Sequence, residues 1–269
     1  MDVNFAFLDS GVGGLPNLAY LKQLCPEAVC VYVADTKNFP YGEKSKAQIE
    51  ENASNCVKKI ISKWKPDVVV VACNTISVTA LEELRKRFPG TSFVGTVPAI
   101  KLASSVSKKR KIGLLATNAT VNHPYTKKLI EEFASDCQIV SRGEPELISF
   151  IEHKFNSASE KERLEAVKPS VDFFKNAGCD CIVLACTHFL NMTEYFKKAG
   201  EDAVIVVDSL DGVVSHALEV EAKSRKTSLK NTGHSESLLY VTGFTTQNDS
   251  SSYEKFCIQN GISFGGIIE

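Results

Sequence analysis

Short, nearly continuous apolar runs alternate along the chain with stretches whose apolar residues recur at helical spacing. The runs Asn4–Leu8, Val29–Ala34, Asp67–Ala72, Lys111–Ala116, Cys181–Ala185 and Ala203–Asp208 are apolar, most of them rich in β-branched residues, and bounded by turn signals. That pattern predicts buried strands. Between them, the segment from about Ser45 to Trp64 places Ile49, Ala53, Val57, Ile60, Ile61 and Trp64 on one helical face, and Lys65-Pro66 stops it. A last strand is expected at Leu238–Thr242 and a final helix, from about Ser251 to Asn260, that closes the chain; the polar stretch Lys226–Glu236 reads as an exposed loop. Strand–helix alternation of this kind predicts an α/β fold, with parallel sheets covered by helices on both faces.

The chain also echoes itself. Asp67-Val68-Val69-Val70-Val71-Ala72-Cys73-Asn74-Thr75 matches Asp180-Cys181-Ile182-Val183-Leu184-Ala185-Cys186-Thr187-His188: an Asp, an apolar strand, Ala-Cys, then polar residues opening a helix. Phe7-Leu8-Asp9-Ser10 and Leu114-Leu115-Ala116-Thr117 form a second pair at nearly the same offset. Duplication on this scale predicts two similar α/β units, since solenoid repeats are shorter. Ligands of open α/β sheets bind beyond the carboxyl ends of the strands. Cys73, Cys186, Asp9 and Thr117 all fall there, and would line one cleft if the units face each other.

Composition narrows the classes. A formal net charge of −1 over 269 residues gives no electrostatic footprint for nucleic acid or an anionic membrane. The run Lys108–Lys111 reads as a solvated tip before a strand. No apolar run is long enough to span a bilayer, and no secretory leader is visible, so a cytoplasmic location is expected. Nine cysteines, an odd number, fit free thiols in a reducing compartment. Cys25, Cys30, Cys56, Cys137 and Cys257 are expected mostly as small buried hydrophobes.

Asp9-Ser10-Gly11-Val12-Gly13-Gly14 follows a strand and precedes a helix, with Pro16 suited to its first turn. It is neither G-x-G-x-x-G nor a P-loop; a tight turn with Asp9 as a local cap is the plain alternative. Cys73-Asn74-Thr75 and Cys186-Thr187-His188 each set a thiol where a strand hands over to a helix, a place that favours thiolate. Asn74, Thr75, Thr187, Thr117 and Thr120 supply neutral donors, which suit a small carboxylate-bearing zwitterion. Zinc at Cys179, Cys181, Cys186 and His188 fits no common spacing, and no C-x-x-C exists. A cysteine hydrolase would use one thiol and leave the other unexplained. Two matched thiols do have a joint use: inverting a stereocentre needs one group to take the α-proton from one face and another to return one to the opposite face. Asp9 would assist Cys73. His188, held by Glu152, would assist Cys186, although a surface helix carboxylate is an equal reading of Glu152.

The set Asp9–Gly14, Ala34-Asp35-Thr36, Pro40-Tyr41-Gly42, Ala72–Thr75, Thr117 with Thr120, and Ala185–His188, running in order to Asp208-Ser209, resembles the glutamate racemase family. The resemblance implies two pseudo-symmetric α/β domains, 1–97 plus 210–269 and 98–209, with the active site in the cleft between them. It implies Cys73 and Cys186 as catalytic acid/bases helped by Asp9, His188 and Glu152. Substrate contacts are implied at Asp9, Ser10, Tyr41, Gly42, Asn74, Thr75, Thr117, Thr120, Thr187 and His188. It further implies no pyridoxal phosphate, no metal, glutamate as substrate, D-glutamate for peptidoglycan, and a cytoplasmic homodimer. Two departures stand out. Phe189-Leu190-Asn191 replaces the family's aromatic–proline after Cys-Thr-His, and Arg142–Glu146 is more polar than the family's run before Glu152. No extension precedes the first strand, so no activator site built from one is expected. An aspartate racemase of the same superfamily and a non-catalytic amino-acid-binding α/β module remain as alternatives.

Overall fold

The computed structural model describes residues 3–224, 236–246 and 248–269. In chain order the strands are β1 Phe5–Asp9, β2 Cys30–Ala34, β3 Val68–Val71, β4 Ser92–Gly95, β5 Lys111–Ala116, β6 Gln138–Gly143, β7 Cys181–Ala185, β8 Ile205–Val207, β9 Leu238–Val241 and β10 Ser263–Ile267. The helices are α1 Leu15–Leu24, α2 Lys46–Trp64, α3 Asn74–Arg87, α4 Ile100–Val106, α5 Asn118–Asn122, α6 Pro124–Phe133, α7 Pro145–His153, α8 Glu160–Asn176, α9 Thr187–Leu190, α10 Thr193–Gly200, α11 Leu210–Ser224 and α12 Ser250–Gln259. Two compact units emerge, Met1–Thr96 with Leu210–Glu269, and Val97–Ser209.

The first unit holds a six-stranded sheet in the order β10-β9-β2-β1-β3-β4, with each neighbouring pair parallel. Strands β1, β2 and β3 are buried along their whole length, as expected of a parallel sheet covered on both faces. On one face Phe5, Phe7, Tyr32 and Val70 pack with Leu15, Leu18 and Leu21 of α1, Val213 and Ala217 of α11 and Phe256 of α12. On the other, Leu8, Val33 and Val71 meet Ile49, Val57 and Ile60 of α2 and Ile76, Ala80 and Leu84 of α3. Ser45 caps α2 in a reciprocal capping box with Gln48.

The second unit holds a four-stranded sheet in the order β6-β5-β7-β8, again all parallel. Placed beside β2-β1-β3-β4, it is the same 2-1-3-4 order. The duplication read from two sequence echoes is therefore a duplication of topology. The echoed aspartates work at the amino ends of their strands. Asp67 accepts from Asn4 Nδ2 at 3.2 Å. Asp180 accepts the backbone N–H groups of Lys108 and Lys109, each at 2.7 Å, and the Ser107 hydroxyl at 2.6 Å. The basic run is thus a turn wrapped around a carboxylate.

Three strands are absent from the sequence expectations: β4, β6 and β10. Each lies at a sheet edge, where one side meets solvent and the apolar signal is diluted; β6, for example, is buried at no position. The helix α12 does not close the chain, because β10 follows it and pairs with β9. Its interior Gly265-Gly266 weakens any strand pattern. Of the predicted loop Lys226–Glu236, Glu236 is exposed and the rest lies outside the described residues. Cys30, Cys56 and Cys257 are buried as expected, whereas Cys25 and Cys137 are half-buried.

Candidate active site

In a 2-1-3-4 parallel sheet the chain leaves the first strand toward one edge and the third toward the other. The crevice opens between those two carboxyl ends, at the topological switch point. In the first unit these are the ends of β1 and β3, which carry Asp9-Ser10 and Cys73. In the second they are the ends of β5 and β7, which carry Thr117 and Cys186. Both cysteines sit at the helix-capping position at the carboxyl end of the strand, Cys73 before α3 and Cys186 before α9.

Around Cys73 the groups are neutral donors and one carboxylate. Its Sγ lies 3.7 Å from Ser10 Oγ. Asp9, fully buried, accepts the Ser10 backbone N–H on Oδ1 at 2.7 Å and the Tyr32 hydroxyl on Oδ2 at 2.8 Å. Gly14 must be glycine: a Cβ there would stand 2.5 Å from Asp9 Oδ2 and 2.9 Å from the Tyr32 oxygen. Asn74 and Thr75 open α3, both buried. Asn74 Nδ2 is buried with no hydrogen-bond partner among the described residues, a donor facing the cost of lost solvation unless a ligand accepts from it.

Tyr41 and Gly42 stand in a 3-10 turn at Tyr41–Glu43. The Tyr41 hydroxyl donates to Asp35. Asp35 also accepts from Asn38 Nδ2 and, at 2.7 Å, from Thr242 Oγ1. Thr36 Oγ1 donates to the Gly243 carbonyl. The Tyr41–Gly42 turn is thereby stitched to the end of β9. Burial, then the neighbouring charges of Asp35, Cys56 and Cys73, push the Tyr41 phenol far above its ordinary range. Its hydroxyl is committed to Asp35, which leaves backbone groups as what the turn offers a ligand.

Around Cys186 the arrangement is a line of three groups. Its Sγ lies 3.7 Å from His188 Nδ1, and His188 Nε2 lies 2.8 Å from Glu152 Oε2. All three are buried. Glu152, on α7, is therefore no surface carboxylate. Burial pulls the His188 imidazole toward the neutral form, but the hydrogen bonds and negative charges of Cys186 and Glu152 outweigh it and hold the imidazole well above 6.5. The polar Arg142–Glu146 stretch serves the start of α7: Arg142 Nε and Nη2 pair with Glu144 at 2.9 and 2.8 Å. Phe189 and Leu190 complete α9, which is four residues long, and Asn191 follows as its C-terminal cap. Thr117 caps α5, accepting the Thr120 N–H at 3.1 Å and donating to the Thr120 hydroxyl at 3.0 Å.

A zinc reading of Cys179, Cys181, Cys186 and His188 meets a geometric obstacle. Cys181 opens β7 and Cys186 follows its far end, about 16 Å apart at ~3.3 Å per residue. Within each unit the structure brings the expected residues together: Asp9, Ser10 and Cys73 in one, Cys186, His188 and Glu152 in the other. Sequence reasoning gave no role to Tyr32, hidden in an apolar strand, or to Asp35, whose place at a strand end is the same signal that marked Asp9.

The family model described as Asp/Glu/Hydantoin racemase matches residues 18–217. A glutamate racemase of Treponema pallidum (strain Nichols) is 40% identical over 265 residues, 98% of this chain and 96% of that protein. One from Glaesserella parasuis is 35% identical over 257 residues, 95% and 88% of the two chains. Among solved structures, Escherichia coli glutamate racemase in complex with L-glutamate and the activator UDP-MurNAc-ala has a TM-score of 0.85 at 29% identity, covering 98% of this chain and 97% of that one. Matched over most of its length by the family model and over nearly all of it by glutamate racemases, the chain belongs to the Asp/Glu/Hydantoin racemase family and is an amino-acid racemase.

Proposed function

We propose that this chain interconverts L- and D-glutamate by a two-base mechanism in which Cys73 and Cys186 act from opposite faces of the substrate α-carbon. The observation that carries the reading is the repeated placement: in each of two units with the same strand order, one buried cysteine follows the strand at the switch point.

In each turnover one cysteine is thiolate and takes the α-proton, while the other is thiol and delivers its proton to the opposite face. The roles then exchange for the reverse direction. A neutral His188 whose Nε2–H donates to Glu152 accepts from the Cys186 thiol on Nδ1. When Nδ1 takes that proton, Cys186 becomes the thiolate that acts as base, and the imidazolium so formed donates from both nitrogens, to sulfur and to Glu152. Asp9 and Ser10 serve Cys73. The Asn74 amide, Thr75, Thr117, Thr120, Thr187 and the Tyr41–Gly42 turn bind the carboxylates and amine of the substrate. This chemistry calls for neither pyridoxal phosphate nor metal. The product fits a supply of D-glutamate for peptidoglycan, in a cytoplasmic homodimer.

The test is racemisation followed by circular dichroism in heavy water, with L-glutamate and, separately, L-aspartate. Expected are loss of optical activity and deuterium at the α-position with glutamate, and loss of both in Cys73→Ser and in Cys186→Ser. Activity on aspartate alone would reassign the substrate. Binding without exchange would leave an amino-acid-binding module. Near-full racemisation by either serine variant would overturn the two-thiol account.

A further inference from the structure

Tyr32 lies in the middle of β2, opposite Phe7 in the register with β1, and its ring stacks on Phe7 with centroids 6.3 Å apart and an interplanar angle of 14°. By packing it is a core residue, fully buried. A core phenylalanine would fill the same place without the cost of burying a hydroxyl, so the hydroxyl needs a reason. It runs up the strand to the carboxyl end of β1. There it accepts the Gly14 N–H at 3.0 Å and donates to Asp9 Oδ2 at 2.8 Å. The Gly14 amide can only donate, which directs the single phenolic proton outward. Asp9 Oδ2 at 2.8 Å is a better acceptor than the Gly11 carbonyl at 3.2 Å.

A carboxylate held at one oxygen has its other oxygen fixed as well. Oδ1 of Asp9 takes the Ser10 N–H at 2.7 Å and stands 3.5 Å from Ser10 Oγ, which in turn is 3.7 Å from Cys73 Sγ. The hydrogen bonds therefore run toward Asp9 from both sides: Gly14 to Tyr32 to Oδ2, and Cys73 to Ser10 to Oδ1. We propose that Tyr32 is a positioning residue for the Cys73 half of the reaction, its hydroxyl fixing Asp9 so that Oδ1 anchors the Ser10–Cys73 chain. This rests on the two-thiol reading above.

The test is Tyr32→Phe, which keeps the ring and removes the hydroxyl. The two enantiomers have equal energy, so kcat/KM falls equally in both directions whatever step slows. The primary isotope effect on α-deuterated substrate identifies the step. If Tyr32 serves Cys73, the isotope effect rises for the one enantiomer whose proton Cys73 removes and not for the other, with a fall in rate of roughly ten- to a hundredfold, as for loss of a hydrogen bond to a charged group. Wild-type rates, or isotope effects that change alike for both enantiomers, overturn the inference. A second readout is additivity: in an Asp9→Asn background, Tyr32→Phe should cost little more, whereas a full independent loss would place Tyr32's effect outside Asp9. Should Tyr32→Phe lose its fold, 3-fluorotyrosine at position 32 keeps ring and hydroxyl but alters the donor. A one-sided change in isotope effect then supports the inference and no change overturns it. Failure of the two-thiol reading itself is separable, because it shows as near-full racemisation by Cys73→Ser or by Cys186→Ser, with Tyr32 left intact.

Discussion

Glu152→Gln is the sharpest probe of the Cys186 side. The side chain keeps its size and one acceptor but loses its charge. Glu152 and His188 are both nearly sealed from solvent, with side-chain exposures of 2% each, and their contact is 2.8 Å. Solvent therefore screens little of the interaction. A hydrogen bond to a charged group contributes about 1.5–3 kcal/mol net, which at ~1.36 kcal/mol per decade is a factor of roughly 10–150. If the imidazolium forms as Cys186 loses its proton, racemisation should slow by a factor in that range, equally in both directions.

The same pair sets a pH dependence with a definite sign. Burial lowers the pKa of His188, but Cys186 and Glu152 together raise it well above 6.5. A group whose folded-state value is raised stabilises the fold fully below its unfolded value of about 6.5, and loses that contribution as pH climbs through the folded value. In Glu152→Gln the folded value moves back toward 6.5. The melting-temperature gap between wild type and variant should be widest below pH 6.5 and close as pH rises. With about 2–4 °C per kcal/mol for a chain of this size, the widest gap is a few to about ten degrees. Calorimetry across pH and circular dichroism of racemisation read the two effects. A gap independent of pH, together with an unchanged rate, would show that His188 carries no charge against Glu152.

Two further substitutions test the first unit. Gly14→Ala forces a Cβ to within 2.9 Å of the Ala72 Cβ, besides Asp9 and Tyr32; overpacking of this kind costs about 1–3 kcal/mol, and both melting temperature and kcat should fall, while a variant active and stable as wild type would mean that Asp9 tolerates displacement. Thr242→Val removes one donor to Asp35 and should raise KM for glutamate with a loss of stability near 1 kcal/mol; an unchanged KM would show that the Tyr41–Gly42 turn is held without the β9 end.

The central strands and both thiols were legible because a parallel strand buried on both faces reads as an unbroken apolar run. β1, β3, β5 and β7 are such runs, and the switch-point residues follow directly after them. What the pattern hid lay at the edges: β4, β6 and β10 carry polar or glycine residues where one side meets solvent. Glu152 could be read from sequence as surface or site with equal right, since a single carboxylate on an amphipathic helix has no periodic signature. Only tertiary packing sets it against His188, 36 residues away. Tyr32 was silent for the opposite reason: an aromatic in an apolar strand is what a core needs, and nothing local marks its hydroxyl as engaged.

Duplicated topology does not mean duplicated electrostatics. Cys73 caps a helix of 14 residues, whose aligned amides present partial positive charge to a thiolate, and its neighbours are a serine and an anchored aspartate. Cys186 caps a helix of only four residues, too short for much of a macrodipole, and the compensating positive charge comes instead from an imidazole backed by a buried glutamate. On the proposed two-base reading, the positive charge that faces the two sulfurs comes from different sources, helix amides at Cys73 and an imidazole at Cys186. Mutations of side chains should accordingly act more severely at Cys186 than at Cys73, where removing Asp9 or Tyr32 leaves the helix amides in place.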